Sequence, residues 1–153
     1  MRFSDKVLEA IKGFEGLRLK TYEDPAGVLT VGYGHTGENV RPGDKISKYW
    51  AEELLKTDLM KVCDQLDELE LKLTQGQADA LISFTFNLGI GRLKSSTLLK
   101  VIRGGGSMRQ IRREFMRWTH AGGKSLKGLE RRRKWEADRF FENDEMNEQL
   151  RNI

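Results

Sequence analysis

The sequence contains few of the residues on which secreted, metal-binding or membrane-spanning proteins depend. It has one cysteine, Cys63, so no internal disulfide can form, which fits synthesis in a reducing compartment. The two histidines show no clustered ligand spacing, so we expect no metal site. No apolar run is long enough to cross a bilayer. With only two prolines, the chain favours helices, and Cys63 lies among helical apolar positions where it is expected to pack in the core.

The charge is ordinary in amount but uneven in distribution. Hydrophobic residues make up 38% and charged residues 33%, which is typical of one globular domain. From Arg92 to Arg139 there are 15 Lys or Arg against 4 acids, whereas the last residues, FFENDEMNEQLRNI, are acidic. A basic half suggests a polyanionic partner such as nucleic acid, a membrane surface or an anionic cell wall, or simply solvated helix faces. The N-terminus, MRFSDKVLEAIKG, does not have the pattern of a signal peptide.

The first third of the chain changes from a helical to an alternating pattern. Apolar residues recur at helical spacing between residues 3 and 14, with Ser4 or Asp5 as N-cap and an end near Gly13 or Gly16. Residues 17 to 35 alternate around a Pro-Ala-Gly turn, which predicts a short antiparallel hairpin.

The rest of the chain is predicted to be helical. One unbroken apolar stripe predicts a long helix that begins near Ser47; its members are Leu55, Leu59, Val62, Leu66 and Leu69. Thr74 and Gln77 form a capping box for the next helix, QADALISFTFNLG, which is apolar nearly all round and therefore predicted to be the buried centre. We expect Gly89 and Gly91 to stop it, and further helices at about 95–103, 107–119 and 129–142.

These elements predict an α+β fold that is mainly α, within one domain of two lobes. A small N-terminal β-hairpin lobe, about 12–60, would be joined by the long helix to a helical C-terminal lobe, about 61–142. Residues 1–11 would pack on that second lobe, and 143–153 would form an acidic tail. Because two lobes that meet across a linking helix leave a groove, we expect the site there.

Candidate catalytic groups lie in the opening stretch, FEGLRLKTYEDPAGVLTVGYGHTG. If the hairpin loop is Pro25-Ala26-Gly27, Tyr22 faces Thr30, and Asp24 and Thr30 share one face about 7 Å apart on the diagonal. Glu15 lies at the end of the first helix among apolar neighbours, which would help to keep its carboxyl protonated as a general acid. Glycosidases typically use two carboxyl groups that lie in unlike environments. Taken alone, the spacing favours a helix-end glutamate, a turn-forming aspartate and a strand threonine over a catalytic set.

The same stretch resembles the phage-type lysozymes, the endolysin family of lambdoid and related phages classed as glycoside hydrolase family 24. That family carries Glu, eight residues, Asp or Cys, five residues and Thr inside an "EGLRL…Y.D…G…T.G.GHT" frame, which this chain matches from Glu15 to Thr36. LTQGQADALISFTFNLGIGRLKSSTLL and FMRWTHAGGKSLKGLERRR resemble later segments of the family, so the resemblance covers about residues 3 to 141.

The resemblance implies a role for each matching residue. Glu15 corresponds to the general acid, Asp24 to the carboxylate that activates or orients water, and Thr30 to the hydroxyl that helps place this water. The implied reaction is hydrolysis, with inversion, of the β-1,4 bond between N-acetylmuramic acid and N-acetylglucosamine in peptidoglycan. Inversion would require the carboxyls to stand about 6.5–9.5 Å apart.

The resemblance also implies the setting in which the protein works. No cofactor and no metal are implied, and no specific nucleic acid is expected as a partner. A monomer would be made in the host cytoplasm and would reach the peptidoglycan of the periplasm after a partner holin breaches the membrane.

Four further residues or groups of residues have open interpretations. His35 is expected to be a hydrogen-bonded structural residue, and Gly32 and Gly34 to allow a close approach of chain or sugar. Trp118 could stack on a sugar or pack in the core. One of Arg131, Arg132 and Arg133 would pair with Glu15, but a one-residue shift turns a helix by about 100°, so the pattern does not choose among them.

Two alternative functions remain. A lytic transglycosylase needs no attacking water and can dispense with Asp24 and Thr30, whose presence favours hydrolysis. A non-catalytic protein could use the basic half, including GLERRRKWEADR, to bind cell wall or nucleic acid. Such a module has no need of the spacing that joins Glu15, Asp24 and Thr30.

Overall fold

The computed structural model describes all 153 residues as eight helices and two small antiparallel sheets. The helices are α1 (Asp5–Glu15), α2 (Lys48–Asp67), α3 (Gln75–Leu88), α4 (Ile90–Ser95), α5 (Thr97–Arg103), α6 (Met108–Met116), α7 (Lys127–Phe140) and α8 (Asp144–Arg151). The strands are β1 (Arg18–Glu23), β2 (Leu29–Gly32), β3 (His120–Ala121) and β4 (Lys124–Ser125). The architecture is the predicted mainly helical α+β fold.

The β1–β2 hairpin has the predicted register at its turn. Tyr22 pairs with Thr30, and the Asp24 amide donates to the Val28 carbonyl at 3.0 Å, so Pro25, Ala26 and Gly27 form the loop. The register shifts only farther back along β1, between Arg18 and Tyr22. Strand β2 packs on α2, because Gly32 brings its backbone against Ala51.

Local signals set the N-terminal ends of α1, α2 and α3 as predicted. Ser4 and Ser47 are the N-caps of α1 and α2, and each hydroxyl accepts a hydrogen bond from a backbone amide of the first turn. Thr74 and Gln77 form the reciprocal capping box of α3. Because each cap satisfies amides that the helix itself leaves unpaired, short sequence patterns were sufficient to place these boundaries.

Helix α3 is the centre of the core, and it packs more extensively against α7 than any other pair of elements. Phe84 is fully buried and meets Phe115 and Trp118 edge to face, at centroid distances of 6.1 and 5.5 Å. Cys63 is buried in the same apolar cluster, as predicted, and burial raises the pKa of its thiol to about 11.

Three features differ from the sequence predictions. Gly89 ends α3, but Gly91 lies inside α4, where burial of Leu93 in the core outweighs the low helix propensity of glycine. The segment AGGKSLKG contains the short β3–β4 hairpin, with Gly122 and Gly123 at positive φ in its turn. The acidic tail contains α8, which Asn143 caps. None of the helices combines the length and apolar character needed to cross a membrane.

We predict that Gly76→Ala destabilises the fold, because a Cβ at Gly76 would lie 2.5 Å from the carbonyl oxygen of Arg139, and backbone atoms cannot move aside cheaply. The expected loss is about 1–3 kcal/mol in the free energy of unfolding. Gly91→Ala is the matched control, since Gly91 is also helical but has no atom near its Cβ position. It should leave stability unchanged or raise it by up to about 1 kcal/mol. Denaturant unfolding measures both, and equal effects would contradict the packing argument.

Candidate active site

Glu15 is the last residue of α1, where the chain leaves the helix for the hairpin. Gly16 follows at φ +71 and turns the chain toward β1. The carboxyl of Glu15 is partly exposed, and its Oε2 lies 3.4 Å from Nη1 of Arg132 on α7. Arg132 is therefore the arginine, among the three candidates, that pairs with Glu15. Arg131 is exposed, and Arg133 is turned into the core.

Two cavities meet at Glu15. The first, of about 380 Å³, is mostly polar, and its wall includes Gly34, Thr36, Asp58, Lys61 and Asn87. The second, of about 740 Å³, lies between α1 and the start of α7, and its wall includes Phe14, Asn87, Leu129, Arg131 and Trp135. Because Glu15 and Asn87 border both, these two side chains lie at the point where an extended ligand would pass from one cavity to the other.

Gly34 brings the end of the hairpin against the glutamate. A Cβ added at Gly34 would lie 3.0 Å from Oε1 of Glu15, and the backbone there has φ +77. Both facts require glycine. The predicted close approach at this position is thus an approach of backbone to the Glu15 carboxyl.

Asp24 and Thr30 are linked through the peptide groups of Val28. Oδ1 of Asp24 accepts hydrogen bonds from the amides of Ala26 and Val28, both at 2.9 Å. The hydroxyl of Thr30 donates to the carbonyl of Val28 at 3.0 Å. Oδ2 of Asp24 has no hydrogen-bond partner within the chain, so one carboxylate oxygen shapes the turn and the other is free. Neither residue is in the wall of the two cavities at Glu15.

Arg132 is held in place by Ser83, the middle member of a polar stripe on α3 that consists of Asp79, Ser83 and Asn87, one on each successive turn. Arg132 donates from Nε to the Ser83 hydroxyl at 3.3 Å and from Nη2 to the Ser83 carbonyl at 3.1 Å. The guanidinium also lies over the ring of Phe14, 5.1 Å from its centroid. With Nε and Nη2 bonded to Ser83 and the guanidinium over Phe14, Nη1 is the group of Arg132 that reaches Oε2 of Glu15.

The other two members of the polar stripe also bind arginines of α7. Asn87 accepts a hydrogen bond from Nη2 of Arg133 at 2.7 Å. Asp79, which is fully buried, accepts from Nε and Nη2 of Arg139 at 2.9 and 2.8 Å. Helix α3 is therefore the buried centre, as predicted, but it is not apolar all round.

Glu136 lies on α7 beneath these arginines and is also fully buried. Its Oε2 accepts a hydrogen bond from the Ser83 hydroxyl at 2.6 Å and lies 3.6 Å from Nε of Arg132. Its Oε1 is 2.8 Å from Nε of Arg133, in an ionic contact whose atoms are not aligned as a hydrogen bond.

Two other residues singled out in the sequence have structural surroundings. His35 is buried, with Nδ1 2.8 Å from Oδ2 of Asp58 and Nε2 3.3 Å from Oδ1 of Asn39, so its predicted hydrogen bonding is confirmed. Trp118 is partly buried and packs edge-on against Phe84, as expected of a core tryptophan.

Ser83, Asn87 and Glu136 were not identified from the sequence. The signal was present, because Asp79, Ser83 and Asn87 recur every four residues and so lie on one face of the helix. Polar groups at such spacing within a buried helix require polar partners, and α7 offers arginines and Glu136.

The arrangement is suited to acid chemistry at one point and to water binding at another. Glu15 can give a proton to an atom at the junction of the cavities, while Arg132 fixes its orientation. The hydroxyl proton of Thr30 is committed to Val28, so this oxygen is left as an acceptor. Oδ2 of Asp24 and Oγ1 of Thr30 are thus both left as hydrogen-bond acceptors.

Comparison with known proteins identifies the class to which this fold and site belong. The family model described as phage lysozyme matches residues 12–136. The chain belongs to the phage lysozyme family, so the resemblance seen in the sequence is confirmed.

Individual relatives agree with this family. The chain is 41% identical to an endolysin of Bacillus phage B103 over 150 residues, which are 96% of this chain but 57% of that protein. It is 42% identical to an endolysin of Acyrthosiphon pisum secondary endosymbiont phage 1, covering 92% of this chain and 98% of that one. The muramidase domain of SpmX from Asticaccaulis excentricus has a TM-score of 0.84 at 34% identity, covering 93% of this chain and 99% of that chain. The chain therefore spans just over half of the B103 protein but nearly all of the other two.

We predict that Gly34→Ala lowers activity by displacing the Glu15 carboxyl, whereas Gly43→Ala does not. Both glycines have positive φ, +77 and +81, so both substitutions carry a similar backbone cost of about 1 kcal/mol. Only at Gly34 would the new methyl group meet Glu15, since nothing lies within 4 Å at Gly43. Turnover of peptidoglycan should fall about tenfold or more for Gly34→Ala alone. Equal losses in the two variants would show that backbone strain, and not the carboxyl, is responsible.

Proposed function

We propose that this chain is the lysozyme domain of an endolysin, which hydrolyses the β-1,4 bond between N-acetylmuramic acid and N-acetylglucosamine of bacterial peptidoglycan during host lysis. Membership of the phage lysozyme family and the endolysin names of its relatives support the class of reaction. The observation that carries the assignment is Glu15, oriented by a buried arginine where two cavities meet.

In this proposal Glu15 is the general acid that protonates the glycosidic oxygen. Asp24 acts as general base through its free Oδ2 and takes a proton from water, and Thr30 accepts the second hydrogen of that water. The attack occurs on the sugar face opposite the leaving group, which gives inversion. The chain supplies all three groups, and no cofactor is needed.

The proposal includes the two-lobed division near residue 60. It is supported by the packing of β2 on α2 and, for the assignment of residues 1–11 to the helical lobe, by the contact of α1 with α3. It also includes a monomer held in the host cytoplasm until a holin opens the membrane, after which the enzyme reaches the wall.

We predict that Glu15→Gln strongly lowers the rate of cleavage while binding to the wall persists. Loss of the proton donor should lower the rate by about 100-fold or more, since general acid catalysis contributes a factor of this size. Purified peptidoglycan is digested with each protein, and the fragments are read by mass spectrometry, with co-sedimentation to measure binding. Fragments with reducing ends, from the wild type alone, are the expected products. Anhydro products would instead indicate a transglycosylase, and cleavage by Glu15→Gln at the wild-type rate would remove Glu15 from the mechanism.

Asp24→Asn tests the second carboxyl without disturbing the turn. Asparagine keeps the Oδ1 acceptor for the amides of Ala26 and Val28 but cannot act as a base. We expect turnover to fall about 100-fold with unchanged thermal unfolding. Glu23→Gln, at the exposed neighbouring position, is the matched control and should keep wild-type turnover. A fully active Asp24→Asn would mean that another group activates the water.

A further inference from the structure

We infer that Glu136 is a positioning residue for the cleft: it offsets the charge of Arg132 and Arg133 and holds them against Glu15 and Asn87. It cannot touch a substrate, because its side chain is fully buried. The inference rests on the proposed role of Glu15 as the general acid.

The first link runs from Glu136 to Glu15. The Ser83 hydroxyl donates its proton to Oε2 of Glu136 at 2.6 Å, which leaves its lone pairs to accept from Nε of Arg132 at 3.3 Å. Glu136 thereby sets the direction in which Ser83 can receive the guanidinium. With Nε and Nη2 of Arg132 held on Ser83, Nη1 reaches Glu15 at 3.4 Å.

The second link runs from Glu136 to Asn87. Nε of Arg133 lies 2.8 Å from Oε1 of Glu136, and its Nη2 donates to Oδ1 of Asn87 at 2.7 Å. Asn87 borders both cavities together with Glu15. The buried carboxyl of Glu136 therefore contacts both arginines, and these arginines in turn bind the two residues at the junction, Glu15 and Asn87.

The charge balance gives Glu136 an effect on the acid. Arg132 and Arg133 carry two positive charges, and ionised Glu136 cancels one. Without it, both positive charges would act on Glu15 and favour its ionised form, which cannot donate a proton. The other charged groups that line the cavities at Glu15 are unchanged by a substitution at Glu136; they are Glu9, Asp58, Lys61 and Arg131.

The titration of Glu136 places this effect at neutral and alkaline pH. Burial raises the pKa of Glu136 to about 7, against the lowering effect of both arginines and Ser83. Above this pH Glu136 is ionised and offsets the arginines, and below it the offset is lost.

The test is the pH profile of Glu136→Gln with soluble peptidoglycan fragments as substrate. A unit charge within about 10 Å in a protein interior displaces a titration by about one pH unit. We expect the alkaline limb of kcat to move to lower pH by about one unit, with KM unchanged. Glu114→Gln is the matched control, because Glu114 is a partly buried glutamate that pairs with an arginine, Arg117, three positions along the chain. Its profile should coincide with that of the wild type, and an unmoved limb in Glu136→Gln would overturn the inference.

A double variant distinguishes the effect of the lost Glu136 charge from a general disturbance of the packing. Arg133→Met with Glu136→Met removes one charge of each sign, and apolar replacement of a buried ion pair is often tolerated. Of the three charges on Arg132, Arg133 and Glu136, only that of Arg132 then remains. The net charge of these three positions is therefore the same as in the wild type. We expect the alkaline limb to return to its wild-type position even where kcat is lowered by the loss of the Asn87 contact. A limb that stays displaced in the double variant would contradict the charge argument.

A measurement without turnover keeps the two proposals distinguishable. The side-chain carboxyl of Glu15 is followed by carbon-13 NMR across pH in wild type and Glu136→Gln, with assignment from Glu15→Gln. We expect its titration midpoint to move to lower pH in Glu136→Gln, and an unchanged midpoint would overturn the inference. If the wild type were inactive but the Glu15 midpoint still moved in Glu136→Gln, the proposed function would be rejected and the electrostatic coupling would remain supported.

Discussion

The pairing of the α3 polar stripe with α7 is the contact on which the rest of the structure depends. Three residues of α3 meet three arginines of α7 inside the core, with Glu136 among them. An unpaired buried guanidinium costs several kcal/mol, so the two helices can slide or rotate against each other only by leaving charges without partners. Apolar side chains tolerate such slippage far better. The polar contact therefore specifies one alignment of the helices, and through Arg132 that alignment reaches Glu15.

Elements with local causes were predictable from the sequence. The N-caps of α1 and α2, the capping box at Thr74 and the stripe of α2 depend on residues within a few positions of each other. The β1–β2 register also followed from its short loop. Gly91 was misread because its place in α4 is decided by the burial of a neighbour, and not by its own preference. The β3–β4 hairpin has strands of two residues, too short for an alternating pattern to show.

The candidate catalytic residues could be predicted from the sequence, but the residues that hold them in place could not. Glu15, Asp24 and Thr30 stand within sixteen residues of each other, so their spacing could be matched to a family frame. The choice of Arg132 depended on the rotation of α7, which a helix pattern leaves undetermined by a residue or two. Glu136 and Ser83 are 53 positions apart in the chain. Only the packing of α3 on α7 brings them together, and the spacing of polar residues on α3 does not specify which residue of α7 each of them meets.

Val28 shows how function can be separated from side-chain identity. Its amide and carbonyl tie Asp24 to Thr30, while its own side chain is 43% exposed. Side chains other than that of valine are therefore compatible with these two hydrogen bonds, provided that the amide hydrogen remains. Proline alone among the common residues lacks this hydrogen. A surface position whose side chain is half exposed can thus carry a backbone requirement that a comparison of side chains would not detect.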